Sequence, residues 1–341
     1  MSQNTPTADT TQQGGAPAQQ PVLRRARTWL GEGHRADTLT TVGGALLLIG
    51  LIAYFSIVRP DSFPTWQNAK SILTTMAVVW ILGVGLTVVL AINEFDLSFA
   101  NVTALGGAVT VITIVQHGFP MWLGILCGLG AGLAIGLANG LAVAYGRAPA
   151  FIVTLAFSSV AFGLERLISG EEVIAGLPES FLSLTQGTFL GVPDPAVYAI
   201  VLTAIMYVLL EYSVWGRRIR AIGSNRRAAE LAGLPVARTR VLAFAITGLV
   251  AGIAGVVLMS TAGQFYPNSS EGLLLPPFTA AYLGAAAVGR GRFGALSTVY
   301  GIIFLGVLQI GLTMLGQPAW LVILIQGAVL AGAVLLARQF K

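Results

Sequence analysis

The chain has 341 residues, of which 55% are hydrophobic, 10% are charged and 42 are glycine, and its formal charge is +5. That balance describes a chain whose main solvent is lipid, and it excludes a soluble enzyme. The basic residues are scattered in short connections between apolar runs, without interleaved aromatic rings, which excludes a nucleic-acid-binding face as well.

The first 20 residues are rich in Gln, Thr, Pro, Gly and Ala, too polar to be ordered by burial, and a cytoplasmic N-terminal tail is expected over 1–37. The first apolar run, Thr38 to Val58, is long enough to span a bilayer and lacks a small-residue cleavage site before it, so it is expected to be retained. Apolar runs bounded by polar or Gly/Pro breaks predict helices near 38–58, 72–92, 98–116, 121–144, 149–168, 195–213, 241–262, 274–288, 294–315 and 319–337. The expected fold is an all-α polytopic membrane protein with about ten transmembrane helices in one domain over 38–337. An even count, with the N-terminus and the residues 338–341 in the cytoplasm, puts all 19 Lys and Arg inside except Arg59, Lys70 and Arg166. The positive-inside rule demands such a split.

Cys127 is the single cysteine and lies in an apolar run, so its expected role is packing. Gly128, Gly132, Gly136 and Gly140 recur every four residues in the fourth span, and Gly248, Gly252 and Gly255 nearly so in the seventh; such small faces let helix backbones approach closely. Asn139 and Gln326 are expected as interhelical hydrogen-bond partners. Glu165 and Arg166 fall near the outer edge, where pairing with neighbours and plain solvation are both open.

The third span opens with Asn93-Glu94-Phe95-Asp96-Leu97-Ser98, and Glu94 and Asp96 are the only acids between residues 62 and 164. A charge facing lipid at mid-bilayer costs about 2.5–3.5 kcal/mol, so both must face water, a partner or the protein interior. Two placements are open, a solvated cytoplasmic turn and a buried or re-entrant one, and the lack of any Lys or Arg in the turn favours the second. The eighth span is short and opens with Pro276-Pro277-Phe278. If spans two to five and seven to ten form two related halves, these irregular spans correspond, and interrupted helices at equivalent places mark a transport path. In that reading Asp96 and Ser98 orient a half-helix, and Phe95, Phe99, Phe278 and Tyr282, with Glu94 and Thr279, line the path. Ring faces beside hydroxyl-binding groups suit a sugar-like solute.

The longest inner loop, Gly216 to Arg240, carries many arginines and one acid, Glu230. Asn225 is placed to cap a helix from Arg226 to Ala232, Gly233 to stop it in the left-handed conformation, and Pro235 to forbid continuation. Ala228, Ala229, Ala232 and Gly233 give this helix a small-residue surface suited to a partner's groove.

Gly223-Ser224-Asn225 followed by Ala228-Ala229 and Ala232-Gly233 resembles the coupling helix in the membrane subunits of bacterial ribose-type ABC sugar importers, the branched-chain and ribose permeases. Further matches lie at Asp96-Leu97-Ser98, at Asn139-Gly140 with Gly146-Arg147 and Pro149 to Leu155, and at Leu283-Gly284 with Gly289-Arg290-Gly291 and Gly294. They run collinearly from about residue 70 to the end. The sequence departs from the family pattern at Glu94-Phe95, at Phe99-Ala100, at Ala156 and at Ala285-Ala286-Ala287.

The resemblance implies a permease for a sugar or sugar-like solute in the bacterial cytoplasmic membrane, working with a second permease subunit, an ABC ATPase and an external solute-binding protein. Gly223, Asn225, Arg226, Ala228, Ala229, Ala232 and Gly233 would contact the ATPase, which would hold the ATP and Mg. The external segment 169–195 carries Glu171, Glu172, Glu179 and Asp194 and no base, and charge complementarity makes Glu171, Glu172 and Glu179 the candidates for binding-protein docking. This chain itself has no phosphate-cradling Gly-x-x-x-x-Gly-Lys-Ser/Thr loop, its only lysines being Lys70 and Lys341. Neither a catalytic constellation nor a metal site is expected, since His34 and His117 fall on opposite sides of the membrane. The competing readings are an ion- or proton-coupled secondary transporter, for which only Glu94 and Asp96 are available without an internal cationic partner, and a structural scaffold, which would leave the 225–233 helix without a purpose.

Overall fold

In a hydrocarbon solvent an apolar segment must satisfy its own backbone, so it becomes a helix. The computed structural model describes residues 42–338, and the expected tail over 1–37, with His34, lies outside the described residues. The helices are α1 (Val42–Val58), α2 (Trp66–Ala91), α3 (Phe99–Val115), α4 (Met121–Tyr145), α5 (Ala150–Ser169), α6 (Glu179–Gln186), α7 (Asp194–Glu211), α8 (Val214–Ser224), α9 (Arg226–Leu231), α10 (Val236–Ala262), α11 (Leu275–Ala287), α12 (Ala295–Met314) and α13 (Ala319–Arg338). A two-stranded hairpin, β1 (Thr188–Phe189) and β2 (Val192–Pro193), precedes α7.

Every expected span coincides with a helix, and among the described residues 7 helices, α2, α4, α5, α7, α10, α12 and α13, are long and apolar enough to cross a membrane by length and composition. α1 and α3 are shorter apolar helices, and α11 has 13 residues. Boundaries also move, because polar residues at helix ends continue the backbone ladder into the interface. α2 starts at Trp66, where the Thr65 side chain accepts from the Asn68 N–H, and α10 starts at Val236, directly after Pro235.

The glycine stripes build the centre. A Cβ added at Gly248 would lie 2.7 Å from the Gly136 Cα, one at Gly140 2.8 Å from the Val241 Cα, and one at Gly255 2.7 Å from the Gly107 backbone nitrogen. α4 and α10 therefore cross backbone to backbone, with α3 against both, an approach that any larger side chain blocks. Buried polar groups fasten the remaining contacts between helices. Trp80 Nε1 donates to Thr203 Oγ1 at 2.9 Å, the Thr87 and Thr298 hydroxyls meet at 2.7 Å, and Gln326 donates to Gln309 at 3.3 Å. Cys127 corrects its expected packing role: one residue from buried Gly128, it sits on the outward face of α4 and is exposed.

The connections gather at two opposite ends. One end holds α8, α9 and the turns 146–149 and 288–294, with the basic side chains Arg147, Arg217, Arg218, Arg220, Arg226, Arg227, Arg238, Arg290 and Arg292. Arg59, Lys70 and Arg166 lie at the other, with α6 and the hairpin. The segment 169–195 is more structured than an exposed connection. Ile174 pairs with Phe265 in a β-bridge, Phe181 is fully buried, and the Ser260 hydroxyl of α10 donates to the Phe181 carbonyl at 2.7 Å.

Two helices begin part-way through the bundle. α11 runs antiparallel and in step with α12, since a Cβ at Gly284 would meet Ser297 and one at Gly301 would meet Ala280. Extended along the helix at 1.5 Å per residue, that register puts Leu275 level with residue 306, about 16 Å along an α12 that is about 30 Å long. α3 is interrupted likewise: the Leu97 N–H donates to Thr154 Oγ1 at 3.0 Å, and Asn101 Nδ2 donates to Ser158 Oγ at 2.9 Å. Those partners lie about 6 and 12 Å along α5 from its first residue.

Candidate functional site

The site is built on the connection from α2 to α3. Asn93 takes φ 57°, a left-handed conformation that asparagine tolerates, and turns the chain back into the protein. The Asp96 carboxylate then closes a local turn, with Oδ1 accepting from the Ser98 N–H at 2.8 Å and from the Ser98 hydroxyl at 2.6 Å. Asn139 of α4 donates to the Ser98 hydroxyl oxygen at 2.7 Å. Asp96, Ser98 and Asn139 are all essentially sealed from solvent. This chain of bonds fixes the buried Asp96 carboxyl at the N-terminal end of α3, whose free N–H groups offset part of the cost of burying it. The sequence brought Asp96 and Ser98 together; the link to Asn139 was expected only as an unspecified interhelical bond.

Beside this network stands a small aromatic cluster. The Phe278 ring, in the first turn of α11, lies 5.7 Å from that of Phe99 and 6.4 Å from that of Phe95. Phe99 and Phe278 are buried and Phe95 is exposed. The two interrupted helices thus meet through rings predicted as a group. Tyr282, one turn further along α11, packs on Phe293 at 5.0 Å, next to the turn after α11. Thr279 is fully buried, its hydroxyl donating to the Leu275 carbonyl of its own helix at 2.9 Å.

Glu94 points to the opposite side of the turn, and it corrects the expectation that these acids lack a cationic partner. Its carboxylate lies 2.6 Å from Arg240 Nη2 and 3.6 Å from Arg226 Nη1. Arg240 is in the second turn of α10 and its side chain is only 4% exposed, while that of Glu94 is 15% exposed. Neighbouring Asn93 donates from Nδ2 to the Gly223 carbonyl of α8, and a Cβ at Gly223 would strike the Ala91 carbonyl. The α2–α3 turn is consequently held by α8, by the first residue of α9 and by the start of α10.

Gly216 to Arg240 is not one loop with one helix, as expected, but two helices and the start of a span. α8 buries Gly216, Ile219 and Ile222, spaced by three on one face, and its Arg220 pairs with Glu211 at 2.8 Å. α9 follows with the expected cap and stop: Asn225 Oδ1 accepts from the Ala228 N–H at 2.9 Å, and Gly233 takes φ 75°. Ala229 is buried beneath the helix, while Arg226, Ala228, Ala232 and Gly233 are exposed. Leu231, which sequence reasoning passed over, is 77% exposed. Two residues from Ala229 is about 200° around a helix, so the buried alanine would have identified Leu231 as the outermost apolar group. Between α9, the start of α10 and the 146–149 turn opens a cleft of about 930 Å³ bearing Glu94, Arg147, Arg226, Arg227, Glu230 and Arg238.

At the far end Glu171, Glu172 and Glu179 are exposed, as the sequence suggested, and Glu171 pairs with Arg166 at 2.9 Å. Glu165 beside it is buried.

Residues 68–334 match the family described as "Branched-chain amino acid transport system / permease component". The ribose import permease protein RbsC of Bacillus subtilis (strain 168) is 33% identical, the match covering 90% of this chain and 95% of that protein. The L-arabinose ABC transporter permease protein AraH of Azospirillum brasilense is 35% identical, covering 92% and 90%. The fructose import permease protein FrcC of Rhizobium meliloti is 29% identical, covering 82% and 80%. With a match over most of its length, an interrupted-helix core and a multi-pass helical architecture, the chain belongs to this family of ABC transporter permease components.

Proposed function

We propose that this chain is the membrane permease subunit of an ATP-driven importer for a sugar or sugar-like solute, residing in the bacterial cytoplasmic membrane. It would span with ten helices in two related halves, both termini in the cytoplasm, the arginine-rich end inside and α6 outside. Two such subunits, identical or related, would form the path, with an ABC ATPase below them holding ATP and Mg, and a solute-binding protein above. The relatives named for ribose, arabinose and fructose support the solute class.

One observation carries this reading: an exposed, capped α9 is joined to the α2–α3 turn through Arg226, Glu94 and Arg240. A partner that pushes on α9 pushes on the residue next to Phe95. Leu231, at the crest of α9 and ringed by charge, is suited to an apolar socket in the ATPase, and Gly223, Asn225, Arg226, Ala228, Ala229, Ala232 and Gly233 shape and hold that crest. Ion-coupled transport finds no support, because Glu94 is already neutralised by arginine and Asp96 is fixed by Ser98.

The test is co-purification from membranes with a co-expressed ABC ATPase subunit. Leu231→Glu is expected to cut recovered ATPase at least tenfold while the permease keeps its elution position in detergent. Undiminished recovery would remove α9 as the docking element.

A further inference from the structure

The stretch from Gly263 to Leu274 looks in sequence like a surface loop, Asn268-Ser269-Ser270-Glu271-Gly272 being polar throughout. It instead enters the bundle. The Ile174–Phe265 bridge holds its start at the α6 end, and Arg166 near the end of α5 donates to Asn268 Oδ1 at 2.7 Å. Further in, the Ser270 hydroxyl donates to Asn101 Oδ1 of α3 at 2.7 Å, and Asn101 in turn donates to Ser158. Gly272, at φ 80°, then turns the chain into α11, whose first residue lies about half-way along α12.

A cleft of about 310 Å³ opens at this junction, and its side chains include Asn101, Ser158, Phe162, Asn268, Ser270 and Glu271. Glu271 has no ion pair or side-chain hydrogen bond among the described residues, and it is exposed. Glu271 shares a turn with Asn268, between the Arg166 contact and the start of α11, and a free carboxylate there is not left against acyl chains: it faces water or a partner. The cleft also lies where the two interrupted helices begin, the position at which discontinuous spans hold solutes.

Its chemistry is selective. A carboxylate and the carbonyl oxygens of two amides accept hydrogen bonds, two hydroxyls both donate and accept, and the amide nitrogens donate. No lysine or arginine lines the cleft. One ring, Phe162, offers an apolar face, and Arg166 covers part of it at 4.4 Å from the ring centre. Such a set satisfies a neutral molecule with many hydroxyls and repels one carrying a carboxylate or phosphate. We infer that this cleft is the half-depth binding site at which a neutral polyhydroxylated solute is held during passage, with Glu271 accepting from its hydroxyls and Asn101, Ser158 and Ser270 completing the shell. The assignment rests on the importer reading and adds to it the site and the charge of the solute.

Two experiments test it. In proteoliposomes containing the permease, its ATPase and the loaded binding protein, Glu271→Gln is expected to lower solute taken up per ATP hydrolysed at least tenfold, with Glu271→Asp recovering part of the loss. An unchanged ratio overturns the site. A parent complex whose ATP hydrolysis ignores the loaded binding protein overturns the importer reading itself. Separately, in a Cys127→Ser background, Ser270→Cys is expected to react with a charged, water-soluble thiol reagent at least tenfold faster than Val160→Cys, which sits at similar depth on another face of α5. Equal rates would mean that no water reaches the cleft, and the site fails on that ground alone.

Discussion

Replacing Glu94 by glutamine keeps the shape of the side chain and removes its charge. Arg240, with a side chain 4% exposed and a carboxylate at 2.6 Å, is left as a buried cation that has lost its paired carboxylate. Breaking a buried pair from one side costs about 3–5 kcal/mol. The 15% exposure of Glu94 and the half-exposed Arg226 beside it put the loss at the lower bound, about 3 kcal/mol. At roughly 2 °C per kcal/mol for a chain of this size, the midpoint for loss of the monodisperse peak, followed by fluorescence-detected gel filtration after heating, falls by roughly 6 °C. The double variant Glu94→Gln/Arg240→Met should regain most of that, because two neutral groups replace a broken pair. A single variant within about 1 °C of the parent, or a double variant no better than the single, would refute the idea that this pair locks the α2–α3 turn to α10.

Gly248→Ala puts a methyl group 2.7 Å from the Gly136 Cα, where neither helix has a flexible atom to move, and is expected to cost about 1–3 kcal/mol in the same assay. Gly163→Ala, with nothing within 4 Å of the new atom, is expected to be neutral or to stabilise slightly. Reversing the charge of Glu171 and Glu172 to lysine is expected to weaken binding-protein docking at least threefold at low salt, with the difference shrinking as salt rises, as exposed charges demand. Equal affinities at low salt, measured by surface-immobilised binding, would count against that surface.

What the sequence made legible follows from its solvent. Spanning helices and small-residue faces are set by local periodicity, so the apolar runs and the spacing of Gly132, Gly136 and Gly140 marked α4 as a close-packing helix, while its pairing with α10 is a contact between distant residues that no local spacing reports. The cap and stop of α9 were legible for the same reason, being contained within Asn225 to Pro235. α8 was hidden because an arginine-rich helix in an inner connection reads as charge bias, although Gly216, Ile219 and Ile222 already marked a buried face. The Glu94–Arg240 pair and the Asn101–Ser270 bond join residues far apart in the chain, and no local pattern reports them. Asn268 to Glu271 carry no sequence signal that separates an exposed loop from one that enters the bundle, and only the Ser270–Asn101 bond places them.

The central claim is that ATP hydrolysis by a separate subunit moves solute through this chain by way of α9. The most direct measurement is uptake of labelled sugar into proteoliposomes holding the permease and its ATPase, with the loaded binding protein added outside and ATP sealed within. Uptake that needs hydrolysable ATP and falls at least tenfold in Leu231→Glu is the predicted result. Uptake that persists without the ATPase and follows an imposed ion gradient would contradict the account.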